Sequence, residues 1–351
     1  MPLPDVLRAL LTANGPSGVE AAPAKVWRDA ASSFAEVAVD AMGSSTARVA
    51  GTAGGRTVAI VGHIDEIGLI VTHIDEKGFL WFAGVGGWDP QILVGQRVVV
   101  NTSSGEIPGV IGKKAIHLLK KEERDKVPEL KDLHIDVGAK DGDEAKRLVR
   151  IGDTAVIDAP PIELPNDRAV SKAMDNRLGA FVAYEAARLV AEAGGAKGDV
   201  VAVAAVQEEI GLNGARGAAY SIDPDAAIAV DVTHATDAPG IDPKEAGEHA
   251  FGSGAVLERG TTLHPALFER LEAAAKEKAI PYTLTASSGR TGTDADVIHF
   301  SRGGVPTQVV SIPLRYMHSP VEMVQVSDVL AAANVIAAFC LALEADATFP
   351  R

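Results

Sequence analysis

Cysteine is nearly absent from this chain: Cys340 is the only one in 351 residues. One thiol allows no intrachain disulfide framework and no cysteine-rich zinc site, so any metal must be held by histidine and carboxylate. Positive charge is also scarce. Lys and Arg number 33 against 47 Asp and Glu, a formal net charge of −14. A surface of that sign repels phosphate backbones and anionic lipid, which argues against nucleic acid and membrane as partners. Long apolar runs are missing too. The longest, Val329 to Leu343, is interrupted by Asn334 and stopped by Glu344, short of the ~20 residues a membrane span needs; it reads as a buried C-terminal helix. Met1-Pro2-Leu3-Pro4-Asp5 lacks the basic start and apolar stretch of a signal peptide. These absences lead to the expectation of a soluble, acidic, cytoplasmic protein.

What is present suggests two domains, since the length is about 2.3 times the ~150 residues of a typical one. The hydrophobic share of 47% and charged share of 23% are ordinary for a globular chain and exclude a disordered one. From about Asp167 onward, apolar strand-like runs (Val200–Val206, Ala226–Val232, Thr307–Ile312) alternate with helix-like runs (Asn176–Glu192, His264–Lys278, Ser327–Ala345). Continuous apolar strands separated by helices predict an α/β fold with a mostly parallel central sheet and helices on both faces. The first ~65 residues fit the same pattern, with short helices around Leu7–Leu11 and Ala21–Phe34 and a strand over Thr57–Val61.

The middle of the chain reads differently. Short β-rich pieces (Leu69–Thr72, Phe79–Phe82, Arg97–Asn101, Val110–Ile111, Thr154–Ile157) are separated by Gly, Pro and Asp turns, which predicts a small inserted barrel or sandwich. The expected division is a discontinuous catalytic domain over residues 1–67 and 161–351, interrupted by a β-rich module over residues 68–160. Within the module, Lys113 to Lys131 reads as a solvated loop. The glycines of Gly84-Val85-Gly86-Gly87 miss the dinucleotide spacing, and Thr285 to Asp296 lacks a P-loop ending, so no nucleotide site is supported. There is no fixed-period repeat.

Five short segments place His, Asp or Glu at the ends of apolar strands or the starts of helices, where open α/β sheets bind ligands. In Val58–Asp65 a strand delivers His63, and Asp65 two positions on lies on the same side, able to accept the other ring N–H. Asp175, in Met174-Asp175-Asn176-Arg177, precedes a helix and reads either as its N-cap or as a functional carboxylate. Glu208 and Glu209 end a run too apolar for them to be mere surface. Within a strand they would face opposite sides, so both reach one site only if the strand stops there, and Gly211 makes such a break plausible. Asp231 interrupts the apolar strand Ile228–Val232, and His318 follows Thr307–Ile312. Together they form an oxygen and imidazole donor set suited to zinc, cobalt or manganese.

The segments Gly62-His63-Ile64-Asp65-Glu66-Ile67-Gly68, Met174-Asp175-Asn176-Arg177, Gln207-Glu208-Glu209-Ile210-Gly211 and Tyr316-Met317-His318-Ser319-Pro320 resemble those of the TET-type, or tetrahedral, metallo-aminopeptidases. Members of that family carry the labels glutamyl aminopeptidase, deblocking aminopeptidase and endoglucanase M. The resemblance runs in order along nearly the whole chain, including the inserted module between His63 and Asp175. It implies two divalent ions bridged by Asp175, one also held by His63 and Asp231, the other by Glu209 and His318. Asp65 would orient His63, and Glu208 would be the general base. It also implies that the insert mediates dimerisation and that dimers build a dodecameric cage admitting only peptides.

The chemistry expected of such a pair is hydrolytic release of an N-terminal amino acid, through a water shared by the two ions. Zinc is the first expectation for the metal, with cobalt and manganese as alternatives. A deacylase or carboxypeptidase using the same clamp is the nearest rival. A glycosidase would need two carboxyls flanking a sugar bond without metals, and a non-catalytic cage leaves the donor set without a purpose. The first-residue preference is not encoded legibly; loops such as Ala286 to Thr293 and neighbouring subunits are expected to shape it.

Overall fold

Four strands built mainly from Ala, Val and Ile form the centre of the fold. In the computed structural model, which describes residues 1–350, they lie side by side and parallel in the order Gly198–Ala205, Gly55–His63, Ala226–His234, Thr307–Arg315. Strands buried on both faces need no polar alternation, and Val200–Ala205 is buried at every position. One face is covered by the helices Met174–Glu192 and Val326–Ala342 with a core that includes Leu178, Phe181, Val310 and Ile336. The other is covered by Asn213–Ile222 and the short helix Ala295–Ile298, packed on Ala59, Val61, Val203 and Ala227. Antiparallel strands extend the sheet to eleven: Glu36–Val39 and Ser45–Val49 on one side, Glu322–Gln325, Arg168–Ser171 and Ile162–Leu164 on the other. Ala255–Gly260 pairs antiparallel with Thr307–Arg315, and Tyr282–Ser287 pairs parallel with Ala255–Gly260. Sequence pattern alone missed these flanking strands because they are short and partly polar, as in Glu36-Val37-Ala38-Val39.

Between His63 and Met174 the chain builds a second, closed sheet. Six antiparallel strands form a barrel in the order Gly68–Ile74, Leu80–Val85, His134–Asp136, Gly105–Gly112, Arg97–Thr102, Thr154–Ile157. Here burial alternates: Val98 and Val100 point inward while Arg97 is exposed, the period-two signature of a barrel wall. Leu69, Val71, Leu80, Val100 and Ile135 make a core of its own. The lysine-rich stretch from Lys113 to Lys131 contains only short helical turns, such as Ile116–Leu118 and Lys121–Arg124.

Close approach of main chains sets the relation between the sheet and the helix that follows Ala173. Strand Gly55–His63 packs so tightly on helix Met174–Glu192 that a methyl group on Gly62 would overlap the main chain of Gly179. Gly179 in turn faces Val230 O. Glycines at the crossing bring the ends of two parallel strands, bearing His63 and Asp231, against the start of the helix, bearing Asp175. No described helix is long and apolar enough to cross a membrane.

Candidate metal centre

The seven singled-out residues come from five separate segments and meet at the carboxyl ends of the parallel strands. Strand Gly55–His63 ends on His63, and Asp65 follows in the turn toward the barrel. Strand Gly198–Ala205 stops before the glutamates: Gln207 has a positive φ of 58°, and the chain turns through Glu208 and Glu209 to Gly211 at φ 132°. That break lets two adjacent side chains reach one place, although in a continuous strand they would diverge. Asp231 sits within Ala226–His234. His318 follows Thr307–Arg315 in a loop where its own φ is 58°.

Asp175 is not the helix N-cap. That position belongs to Ala173, and Asp175 and Asn176 depart from helical geometry, joined by a cis peptide bond. The Asn176 side chain secures the turn, donating from Nδ2 to Val230 O at 2.7 Å and accepting from Gly179 N at 2.8 Å. Asp175 is thereby presented between two histidines. Its Oδ1 lies 3.3 Å from His63 Nε2, and its Oδ2 lies 3.3 Å from His318 Nε2. Glu209 Oε1 is 3.2 Å from that same His318 nitrogen, and Glu208 Oε2 is 3.6 Å from His63 Nε2.

Asp65 is fully buried and has several tasks. Its Oδ1 lies 3.2 Å from His63 Nδ1, it accepts from Ser17 Oγ at 2.6 Å, and it accepts from the main-chain N–H groups of Glu208 and Glu209 at 3.1 and 3.2 Å. One carboxylate therefore faces a histidine ring and anchors the turn that carries both glutamates.

The electrostatics of this cluster share one cause: too many carboxylates are buried around two imidazoles. Burial raises Glu209, pushes Asp231 well above the usual carboxyl range, and moves Glu208 up to about 8. His318 rises to about 11 because Asp175 and Glu209 face it. Burial opposes the charged form of His63, yet Glu208, Asp175 and Asp65 overcome it and raise that histidine well above its ordinary value. Asp175 resists burial in the same way, held low by His318 and His63. Such a surplus of negative charge calls for cations. Ligand atoms of His63, Asp175 and Glu209 lie within 4.8 Å of one another, as do those of His63, Glu208 and Asp231. Oxygen and imidazole donors at that spacing fit a metal ion.

Several supporting residues carried no role in the sequence. Glu322, buried, accepts from the N–H groups of Met174 and Asp175 at 2.7 and 3.2 Å and from that of His318 at 2.8 Å. It ties together the two segments whose side chains meet in space. Glu66 accepts from Lys172 Nζ at 2.7 Å and Arg177 Nη2 at 2.9 Å. Arg177, with no exposed surface, also donates to Ile64 O and Leu10 O. Asp294 is buried with neither carboxylate oxygen hydrogen-bonded, and burial pushes it up to about 7. Glu66 and Arg177 were visible as parts of the quoted segments; Glu322 and Asp294 had no sequence signal beyond being acidic.

Comparison with known proteins gives the constellation a relationship. The sequence model described as M42 glutamyl aminopeptidase matches residues 43–335. The lysyl aminopeptidase of Pyrococcus furiosus is 37% identical over 299 residues, covering 84% of this chain and 83% of that one. Among solved structures, the TET aminopeptidase of the marine sediment archaeon Thaumarchaeota archaeon SCGC AB-539-E09 superposes with a TM-score of 0.91 at 37% identity, covering 97% of this chain and 96% of its own. The TET1 peptidase of Pyrococcus horikoshii, described as assembling into a tetrahedron or a large octahedral shell, superposes at 0.85 with 28% identity, covering 97% and 99%.

Proposed function

The chain belongs to the M42 glutamyl aminopeptidase family, and on that premise we propose that it frees N-terminal amino acids from peptides with two divalent ions, zinc ahead of cobalt or manganese, held about Asp175. It is an aminopeptidase, hence a peptide hydrolase. The observation that carries the two-ion reading is the position of Asp175, whose two oxygens each face the Nε2 of a different histidine at 3.3 Å. A carboxylate so placed is suited to bridging.

In this reading His63 and Asp231 complete one ion's ligands, and Glu209 and His318 the other's. Ions bound there supply Lewis acidity, lowering the pKa of water and polarising the peptide carbonyl. Asp65 keeps His63 in the tautomer that leaves Nε2 free to ligate. Glu208 serves as general base, taking a proton from the attacking water on a carboxylate oxygen and delivering it to the departing amine. A free amino end, unlike an acylated one, can be held by a carboxylate of the site that the ions do not use, which restricts cleavage to the first residue.

Assembly is the second element of the proposal. We assign the principal subunit contact to the module over residues 68–160, with dimers building a tetrahedral dodecamer. Ile116, Leu118, Val127 and Ile151 there are each 58% exposed or more, an apolar surface that an interface would cover.

The test is exhaustive dialysis against chelator, then assay on aminoacyl chromogenic substrates with zinc, cobalt or manganese restored. Loss and metal-dependent recovery are expected, on free-amine and not N-acetyl substrates. Full activity at near-zero metal content would overturn the metal reading, and preference for the N-acetyl form would make the enzyme a deacylase.

A further inference from the structure

We propose that the barrel is a working part of the metal centre, with Gly87 as a positioning residue that fixes the ring of His318 through its main-chain carbonyl. The proposal deepens the reading above and rests on His318 being a metal ligand. It gives a purpose to the glycines of Gly84-Val85-Gly86-Gly87, which fit no nucleotide motif.

The two histidines are held in unlike ways. His63 is 1% exposed and faces the buried carboxylate of Asp65. The side chain of His318 is 33% exposed and lies in a loop, so packing alone does not orient it. Its Nδ1 lies 2.9 Å from Gly87 O, in the turn after barrel strand Leu80–Val85. A carbonyl oxygen only accepts, so Nδ1 carries the proton. Nε2, facing Asp175 and Glu209, is then the nitrogen available to a metal.

The turn is clamped on both sides. Gly86 has a φ of +78°, and a Cβ there would lie 2.5 Å from Ile67 Cγ2 and 3.4 Å from Glu209 Cβ. Only glycine lets the turn sit flush against the site. On the other side, Trp88 Nε1 donates to Gly68 O at 2.8 Å, tethering the turn to the first barrel strand. Trp88 also lines a small cavity with Ile67, Ala173, Asp175, His318 and Pro320. The barrel thus reaches the centre through main chain and one indole, contributing no ligand of its own.

The experiment is nitrogen-15 NMR of the histidine rings in the zinc-loaded full-length chain, beside calorimetric zinc titration of the wild type and three variants. In the wild type, His318 should show a protonated Nδ1 and a zinc-bound Nε2. Gly86→Ala and Trp88→Phe should each weaken one of the two zinc ions, Gly86→Ala by about 10–100-fold, the usual effect of losing a ligand's orienting partner. Each should shift the His318 signals and leave the other ion unchanged. Gly95→Ala is the control: it also has a positive φ, +82°, in the barrel but open space around it, and should leave both affinities unchanged. If Gly86→Ala does not fold, Trp88→Phe decides. Zinc on Nδ1 of His318, or folded variants with both dissociation constants intact, would overturn the proposal. A wild type that binds no zinc overturns it together with the metal reading, an outcome distinct from two ions bound at unaltered strength.

Discussion

The sheet and the barrel are built on different plans, and the difference explains what each offers the site. The sheet's central strands are apolar on both faces, so charged residues lie toward strand ends, and those at the carboxyl ends gather into one cluster. Glu208, Glu209 and His318 follow strand ends, His63 closes a strand, and Asp231 lies near the end of another. The barrel surrounds a small core of its own, with strands such as Arg97–Thr102 alternating inward and outward residues, and its turn beside the site is rich in glycine. It offers the centre a carbonyl oxygen and close contact, where the sheet offers side chains.

Loss of a side chain supplied by the sheet should have the greatest consequence. Glu208→Gln should keep the fold and the bound ions while kcat falls about 10²–10⁴-fold, the usual worth of a positioned general base. Steady-state kinetics beside metal analysis checks this. A variant that loses metal along with activity would make Glu208 a ligand.

Next come truncations in the two cores. Ile60 and Leu80 have no exposed surface, so Ile60→Ala in the sheet and Leu80→Ala in the barrel should each cost about 2–5 kcal/mol. Hydrogen exchange should place the Leu80→Ala loss in the barrel strands and leave the sheet strands protected. Deprotection spread over both would make them a single cooperative unit.

A smaller effect is expected of Asp65→Asn, which leaves every proposed ligand in place. Metal affinity or activity should drop about 10–100-fold, since an amide orients His63 less well and anchors the Glu208–Glu209 turn less firmly. An unchanged zinc titration would show that His63 needs no such partner.

The smallest effect is expected of Glu66→Gln, which concerns only stability. Burial disfavours the charged Glu66, but Lys172 and Arg177 hold its carboxyl below the usual range. A carboxyl lowered on folding contributes stability above its unfolded pKa of about 4.3 and loses it as pH falls through the folded value. The variant should unfold at lower urea than the wild type at neutral pH, with the gap closing in acid. A gap that widens in acid would reverse the assignment.

How much of this was legible in the sequence follows from the same contrast. Side-chain chemistry shows itself as residue types in improbable places: two glutamates after Val200–Val206, an Asp inside Ile228–Val232, a His at the end of Val58–His63. Those signals, with the family resemblance, singled out seven residues that the fold brings together around Asp175. Main-chain chemistry leaves no such trace. Gly87 acts through a carbonyl that any residue possesses, and Glu322 through three backbone N–H groups that only the fold brings together. The N-cap reading of Asp175 failed for a related reason, since a turn held by Asn176 and Gly179 displaces it from the capping position. Short flanking strands such as Glu36–Val39 were missed because they are brief and mostly exposed, with no apolar run to mark them, although the partner Ser45–Val49 lies close by in sequence.

In the proposed site one carboxylate, Asp175, joins two ions whose remaining ligands come from different strand ends. This bridge is tested most directly by counting ions per chain, with affinities, in the wild type, Asp175→Asn and His318→Ala. Two ions are expected in the wild type, both weakened in Asp175→Asn, and only one lost in His318→Ala. A single ion in the wild type, or two ions bound by Asp175→Asn at undiminished strength, would contradict it.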